Sequence, residues 1–132
     1  MFNKYFKDEY QFSLKQVLFQ TINEHDEAGK FEINVSDDIS VDVVDDGIFV
    51  DYWRNIYFEP KGIFEIKVNF GLKIFFRDET KLEAGTIDWA EKLKSNENPY
   101  IRNVAARAST IVSNLTSSYG QQPIITPPIF VN

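Results

Sequence analysis

One stretch of strict alternation constrains the fold more than any other feature of the chain. Between residues 64 and 76 every second position is apolar: Phe64, Ile66, Val68, Phe70, Leu72, Ile74 and Phe76. A period of two is typical of a β-strand with one buried face. At about 3.3 Å per residue the strand would be roughly 40 Å long, well beyond the usual length of about 5–6 residues. This length indicates a bent or shared sheet, and Gly71 is placed to mark a bend.

Two further alternating runs precede the long strand and predict hairpins. The run over residues 48–58 connects to the long strand through Glu59-Pro60-Lys61-Gly62, whose proline and glycine are typical of a turn. Another run extends over residues 31–43, and the Asp46-Gly47 pair that follows it is a hairpin signal. Because both connections are short, the strands that they join are expected to be antiparallel.

Two details complete the predicted sheet. Asp37-Asp38 interrupts the run over residues 31–43, and we expect a bulge or a break in the strand there. A further strand is predicted over residues 12–22, followed by a loop at residues 23–29. The sheet then has about four antiparallel strands and occupies residues 10–77.

After residue 77 the apolar spacing becomes helical, and a helical region is predicted over residues 86–119. A short helix is expected at Thr86 to Lys94. A second, longer helix begins at Asn98-Pro99, an N-cap followed by a first-turn proline, and stops at Gly120. Its apolar residues recur at spacings of three and four: Ile101, Val104, Ala105, Ala108, Ile111, Val112, Leu115 and Tyr119.

The last stretch and the order of the elements indicate the fold class. Residues 121–132 contain Pro123, Pro127 and Pro128, which are incompatible with a helix, so we expect an extended tail along another element. Strands followed by helices are typical of an α+β fold. With 132 residues, the chain is expected to form a single domain.

Composition excludes several classes of function. The chain has no cysteine and a single histidine, His25, so a disulfide framework, a thiolate zinc site and a histidine-rich metal site are excluded. The formal net charge of -6 argues against nucleic acid as a partner. No residue spacing is typical of a catalytic triad, a phosphate loop or a calcium loop. We therefore expect no catalytic residues, no metal, no cofactor and no enzyme activity.

The N-terminal residues bear on localisation. Lys4 and Lys7 are interleaved there with Asp8 and Glu9, and no apolar run is present. Such a segment is neither a secretory signal nor a membrane anchor. We expect a cytoplasmic protein without membrane insertion.

The aromatic content is high, with 12 Phe, 6 Tyr and 2 Trp. In the run over residues 48–58, Phe49, Trp53 and Tyr57 alternate with the core residues and so lie on the opposite face. Three open rings of about 150–250 Å² each would form a patch of several hundred Å², which normally marks an interaction surface. We predict that these three rings form a hydrophobic groove for a partner, although a helix or a neighbouring subunit could cover them instead.

The long helix has an apolar face that includes small residues. Small side chains permit close packing of a helix against another element, although alanine is also a good helix former. We predict that this face lines a groove or an oligomer interface, through Ile101, Val104, Ala105, Ala108 and Ile111.

The C-terminal third resembles the SecB family of protein-export chaperones. Residues 98–102, Asn-Pro-Tyr-Ile-Arg, look like the family's P-Y-x-R helix start. Residues 115–130 resemble the family's ending L-x-x-x-x-G-x-x-P-x-x-x-x-P-[VI]-x-F. Four antiparallel strands followed by a long helix is also the family's architecture. The resemblance implies a homotetramer, a dimer of dimers, that holds unfolded polypeptides in long hydrophobic grooves and uses no nucleotide.

The resemblance also raises SecA, the export motor, as a partner. The family docks SecA through acidic positions on its first and fourth strands. At those positions this chain has the neutral Gln16 and Gln20 and the positively charged Lys67. None of them supplies the negative charge that the same contact requires. SecA stays an open and disfavoured partner.

The main prediction is therefore an ATP-independent chaperone that binds unfolded or pre-export polypeptides. Its predicted client-binding residues are Phe49, Trp53, Tyr57 and Phe75. Three alternatives stay open. One is a structural or assembly protein of viral or mobile-element origin, which uses the fold to oligomerise. Another is a chaperone dedicated to a toxin–antitoxin pair. The third is a small-ligand binder with its cavity between the sheet and the long helix.

Overall fold

The structure is a computed structural model, and it describes residues 4–22, 31–82, 84–94, 98–118 and 122–132. Within these ranges an antiparallel sheet forms one layer and a long helix packs on one of its faces. Two sequence predictions lie outside the described residues. They are the loop that contains His25 and the helix end at Tyr119-Gly120.

The sheet contains β1 (Phe6–Ile22), β2 (Glu32–Val44), β3 (Gly47–Glu59) and β4 (Ile63–Phe76). Their spatial order is β1-β4-β3-β2, and all neighbours are antiparallel. The long alternating strand of the sequence is β4, and it lies in the interior of the sheet between β1 and β3. Both predicted hairpins are present, and β1 begins at Phe6, earlier than the predicted start at residue 12.

β2 corrects one sequence prediction. The strand is continuous through Asp37-Asp38, and its pairing with β3 shows no register shift from Glu32 to Val44. The expected bulge or break is therefore wrong. The strand tolerates both aspartates because the carboxylate of Asp37 is paired with Arg54 inside the protein, whereas Asp38 is exposed to solvent.

β1 contains the irregularity that β2 lacks. Its pairing with β4 shifts between Leu14 and Gln16, as in a β-bulge. Leu14 pairs with Phe70 before the shift, and Val17 pairs with Val68 after it. Cross-strand partners share a face, so Leu14 and Val17 lie on the same face although three positions separate them.

The helical region is more broken than predicted at its beginning. Two short 3₁₀ segments, Asp78–Leu82 and Ala84–Thr86, precede α1 (Trp89–Leu93). The Asp88 side chain caps α1, because its Oδ1 accepts a hydrogen bond from the Glu91 amide at 3.2 Å. The predicted helix at residues 86–94 is therefore present in a shortened form.

The long helix, α2 (Pro99–Ser118), has 20 residues and begins where the sequence predicts. Asn98 Oδ1 accepts hydrogen bonds from the backbone amides of Tyr100 at 2.9 Å and Ile101 at 3.4 Å. These bonds satisfy donors that have no partner within the helix. Asn98 is thus the N-cap.

α2 packs across β3 and β4, and the core lies between them. Every even-numbered residue of β4 from Phe64 to Phe76 is at most 3% exposed. From the helix, Val104, Ala105 and Ala108 are fully buried. The small side chains bring the helix backbone close to the sheet, and the larger side chains of the strands fill the interface.

Part of the aromatic content is used at the end of the sheet, where α1 and the start of α2 meet it. Four buried aromatic residues pack there: Phe6, Phe76, Trp89 and Tyr100. The Phe6 ring lies 5.1 to 5.9 Å, centroid to centroid, from the other three. This cluster anchors β1 to the helical region.

We predict that Ala108→Leu destabilises the protein by about 1–3 kcal/mol, because the larger side chain overpacks the helix–sheet interface. Ala106 on the same helix is exposed and provides a matched control. Ala106→Leu is expected to change the unfolding free energy by less than about 0.5 kcal/mol. Urea denaturation followed by circular dichroism measures both, and equal effects would contradict the packing described here.

Candidate functional site

The sheet face opposite α2, called the outer face below, carries the rings that the sequence singled out. Phe49, Trp53 and Tyr57 lie on it along β3, since side chains four positions apart share a face of a strand. These three residues are called the ring row. Phe49 is 51% exposed, and Trp53 and Tyr57 are half-buried. Phe75 of β4 is half-buried on the same face.

Acidic residues of β2 border the ring row. Asp42 is the cross-strand partner of Phe49, and Asp38 is the partner of Trp53. Both aspartates are exposed. Two of the three rings therefore have a carboxylate directly beside them, and the outer face combines apolar area with negative charge on its β2 side.

A lysine links two rings at one end of the outer face. Lys73 Nζ lies 4.2 Å from the centroid of the Phe49 ring and 5.5 Å from that of Phe75. The same nitrogen lies 2.8 Å from Asp46 Oδ1. The contact with Phe49 is a cation–π interaction, and it fixes one side of the ring while half of the side chain stays accessible.

A depression of about 520 Å³ lies beside Phe49, lined among others by Lys15, Asp51, Gly71 and Lys73. Gly71 leaves room for the bulge residue Lys15: a Cβ at position 71 would lie 2.8 Å from Lys15 Cδ. Lys15 Nζ donates to Asp51 Oδ1 at 2.9 Å. This hydrogen bond is the main reason that the pKa of Asp51 lies below its ordinary value of 3.8, so Asp51 is charged at neutral pH.

A second apolar surface lies on β1, at the edge of the sheet. Three of its apolar residues, all on the α2 side of the sheet, are 38–50% exposed and are called the β1 strip: Phe12, Leu14 and Val17. Sequence reasoning did not find this surface. The available signal was the three-residue spacing from Leu14 to Val17, which breaks the period of two and indicates the bulge.

A buried ion pair lies beneath the sheet's other face. The side chains of Asp37 and Arg54 are 0% exposed. Arg54 Nε donates to Asp37 Oδ1 at 2.9 Å, and Nη2 donates to Oδ2 at 2.8 Å. The Tyr52 hydroxyl donates to the same Oδ2 at 2.8 Å. The carboxylate is thus held by a two-point contact and a third hydrogen bond, the arrangement that a buried charge requires.

The ion pair alters the titration of its neighbours. Burial disfavours the charged guanidinium of Arg54, but the hydrogen bonds and charge interactions with Asp37 and Tyr52 together outweigh burial, and the pKa of Arg54 is raised. Burial, reinforced by the charge of Asp37, raises the pKa of the Tyr52 hydroxyl far above its ordinary value. Arg54 therefore stays charged and Tyr52 stays neutral over the whole physiological range.

Sequence reasoning missed this pair. Arg54 lies in phase with Val50, Tyr52 and Ile56, on the face that must be buried. An ionisable residue at an apolar position of a strand indicates a buried partner. Asp37 stands directly opposite Arg54 in the register of β2 and β3, so the hairpin alignment contained the signal.

The apolar face of α2 is placed differently from the prediction. Ile101, Val104, Ala105 and Ala108 are at most 1% exposed against the chain's own sheet, and Ile111 is half-buried. These residues form the core of the chain. The space in which they were expected to meet a subunit or line a groove is filled by β3 and β4.

The described residues contain no group of three or more His, Cys, Asp or Glu residues that could hold a metal ion. No helix formed by these residues has the length and apolar character needed to cross a membrane.

Comparison with known proteins identifies the fold. No family model matches the chain, and no curated protein matches it in sequence. Among solved structures, it is similar to the Mycobacterium tuberculosis SecB-like chaperone Rv1957 in complex with a ChAD peptide from the Rv1956 HigA1 antitoxin. The TM-score is 0.55 at 14% sequence identity, and the match covers 89% of each chain. The chain has a SecB-like fold.

The SecB-like fold confirms the fold class predicted from the sequence, a four-stranded antiparallel sheet followed by a helix in an α+β arrangement. At 14% identity the similarity concerns the fold alone. The SecB-like resemblance of the C-terminal third is supported to that extent.

We predict that Asp37→Ala destabilises the protein by about 3–5 kcal/mol, because it leaves the Arg54 guanidinium buried without its counter-charge. Asp38→Ala, at the exposed neighbouring position, is expected to have a small effect. The measurement is urea unfolding of both variants and the parent. If the two substitutions had equal effects, the buried pair could not have the role described here.

Proposed function

We propose that the protein is an ATP-independent chaperone that binds non-native polypeptides. The observation that carries the proposal is the ring row, because aromatic side chains lie on a sheet face that the chain's own helix leaves open. Phe49 in particular is 51% exposed. The SecB-like fold supports the proposal, since the similar solved structure is described as a chaperone in complex with a peptide.

The energetics of the outer face suit weak, sequence-tolerant binding. Covering one half-exposed ring contributes about 2–3 kcal/mol, from the usual value per unit of apolar area. Ordering an unfolded chain costs about 0.5–1.5 kcal/mol per immobilised side chain. One ring therefore cannot hold a client, and stable binding requires several rings together. Phe49, Trp53, Tyr57 and Phe75 are our candidates, and no nucleotide is needed for such binding.

The β1 strip is our candidate for self-association. β1 is an edge strand, and an edge strand with exposed apolar side chains can pair with a second chain. The three residues of the strip lie within six positions of that edge. We propose that the strip joins two copies of the chain and that such dimers form the homotetramer implied by the SecB resemblance.

The proposal also concerns which polypeptides are the clients and which partner receives them. The similar structure contains an antitoxin peptide, which favours a chaperone for a toxin–antitoxin pair as the second candidate. The exposed Gln16 and Gln20 and the half-buried Lys67 give no acidic docking surface, so SecA is the less favoured partner. We propose cytoplasmic localisation, as expected for a protein that meets polypeptides before export.

We predict that the protein suppresses aggregation of a refolding client at equimolar or lower ratios, as measured by light scattering. Phe49→Glu and Trp53→Glu are each expected to require several times more protein for half-suppression, because they place a charge in the apolar contact. Thr110→Glu, on the exposed face of α2, is the matched control. Circular dichroism verifies that all variants stay folded. Absence of suppression by the parent protein at every ratio would contradict the proposed function.

We predict an oligomer in solution that depends on the β1 strip. Leu14→Lys is expected to shift the protein towards smaller species in size-exclusion chromatography with light scattering, since it places a charge in the strip. Gln11→Lys introduces the same charge at an exposed polar position of β1 and should leave the mass unchanged. A parent protein that is monomeric at all concentrations would refute this part. An oligomer that never binds unfolded chains would favour the assembly alternative.

A further inference from the structure

The tail, residues 122–132, is bound to the rest of the chain by polar groups of three elements. Arg54 of β3 and Asp37 of β2 contact its last part, and Ser109 and Thr116 of α2 contact its first part. These four residues are called the tail site. The predicted extended tail is therefore present, and its binding partners are now defined.

The tail site contacts the tail mainly through its backbone. Arg54 donates to the carbonyl oxygens of Pro127 at 2.6 Å and Ile129 at 2.7 Å. The Val131 amide donates to Asp37 Oδ2 at 2.9 Å, and the Val131 carbonyl accepts from the Asp37 amide at 2.8 Å. Carbonyl and amide groups at these spacings are common to extended polypeptides, so these backbone contacts do not depend on a particular sequence.

Few side chains of the tail are buried. Thr126 is 2% exposed and Phe130 is 6% exposed, whereas Ile125 is 78% exposed. Gln122 and Pro123 are exposed as well. A competing segment would thus need one small polar residue and one aromatic residue four positions later, with little restriction on the others.

The groups of the tail site are held in place without the tail. Arg54 and Asp37 form their two-point ion pair within the sheet, and Tyr52 adds a third bond to the carboxylate. Ser109 is fixed by the packing of α2. A site that is already organised does not have to be ordered by its ligand, which favours exchange of one extended segment for another.

The position of the site also suits an extended ligand. β2 is an edge strand, and its Asp37 amide donates to the Val131 carbonyl at 2.8 Å. Addition of an extended segment to a sheet edge is a common mode of peptide recognition, in which backbone hydrogen bonds supply affinity. Within residues 122–132 the tail makes one such bond to β2 without becoming a strand, so the edge has a backbone donor that an extended segment can use.

We propose that the tail site is a binding site for extended polypeptide segments, which the tail occupies until a client segment displaces it. The proposal rests on the proposed chaperone function and adds a second client site, at the edge of β2. In this arrangement the tail keeps a buried charge pair satisfied between clients, and a client replaces the same hydrogen bonds.

The first experiment monitors the tail in the full chain. The protein has no cysteine, so Ile125→Cys provides a unique position for a nitroxide label, and its exposure leaves room for the label. Asn114→Cys on the exposed side of α2 is the control position. A reduced and carboxymethylated protein that stays unfolded is added as client. We expect a mobile component in the spectrum at position 125 and no change at position 114.

The second experiment uses a synthetic peptide of residues 122–132 with a fluorescent label. The peptide competes with the tail for the site, so its apparent affinity rises when the tail is weakened. Thr126→Ala in the protein, but not in the peptide, removes from the tail alone the hydrogen bond that Arg54 Nη1 donates to Thr126 Oγ1 at 3.0 Å. Loss of one such bond is expected to tighten peptide binding about three- to tenfold.

Two modified peptides test recognition of the backbone. Methylation of the Val131 amide nitrogen removes the donor to Asp37 Oδ2 and should weaken binding by about fivefold or more. Replacement of Ile125 by Glu in the peptide changes an exposed side chain and should leave the affinity unchanged.

The outcomes separate this proposal from the proposed function. Client binding with release of the label at position 125 supports both. Client binding with an unchanged spectrum at position 125 overturns displacement and leaves the chaperone function standing. If no client binds while the peptide does, the chaperone proposal fails and the tail site stands as a peptide site. Absence of peptide binding to Thr126→Ala, whose site is intact and whose tail is weakened, overturns the proposed site itself.

Discussion

The buried pair of Asp37 and Arg54 sets the arrangement of the elements around it. Two charges withdrawn from water are stable only when each has its full set of partners. Here the partners come from separate parts of the chain: Tyr52 of β3, Ser109 of α2 and the carbonyls of the tail. The buried pair obtains its full set of partners through three features of the fold. They are the register of β2 and β3, the position where α2 crosses the sheet and the return of the tail.

The division of apolar residues between two faces connects the fold to the proposed binding of polypeptides. α2 covers one face, where the even-numbered residues of β4 form the core. The ring row on the other face and the β1 strip at the edge add apolar area that a single folded chain does not need. The outer face also carries Asp38, Asp42 and Lys73 near its rings. Such mixed character keeps an exposed aromatic surface in water and still allows contact with apolar segments.

The sequence predicted features that depend on local pattern and missed those that depend on distant partners. Alternation identified β3, β4 and the outer position of Phe49, and Asn98-Pro99 marked the start of α2. Asp37 is in phase with Val35 and Ile39, so alternation places it on the inner face, but its partner Arg54 lies 17 positions away and is found only when β2 and β3 are aligned. The apolar face of α2 was recognised, but amphipathicity does not say whether a helix meets its own sheet or another chain. The β1 strip was missed, because the bulge shifts its phase.

The bulge in β1 has a consequence for how this chain tolerates insertions and deletions. One extra residue, next to Leu14, keeps Val17 and Phe19 on the core side of the strand. Loss of that extra residue would leave Leu14 and Val17 two positions apart, so both would keep their partners Phe70 and Val68 in an unbroken ladder. A deletion or an insertion elsewhere in β1 would instead turn the rest of the strand over and exchange its two surfaces. Changes of one residue in the length of β1 are therefore expected to be better tolerated at the bulge than in the rest of the strand.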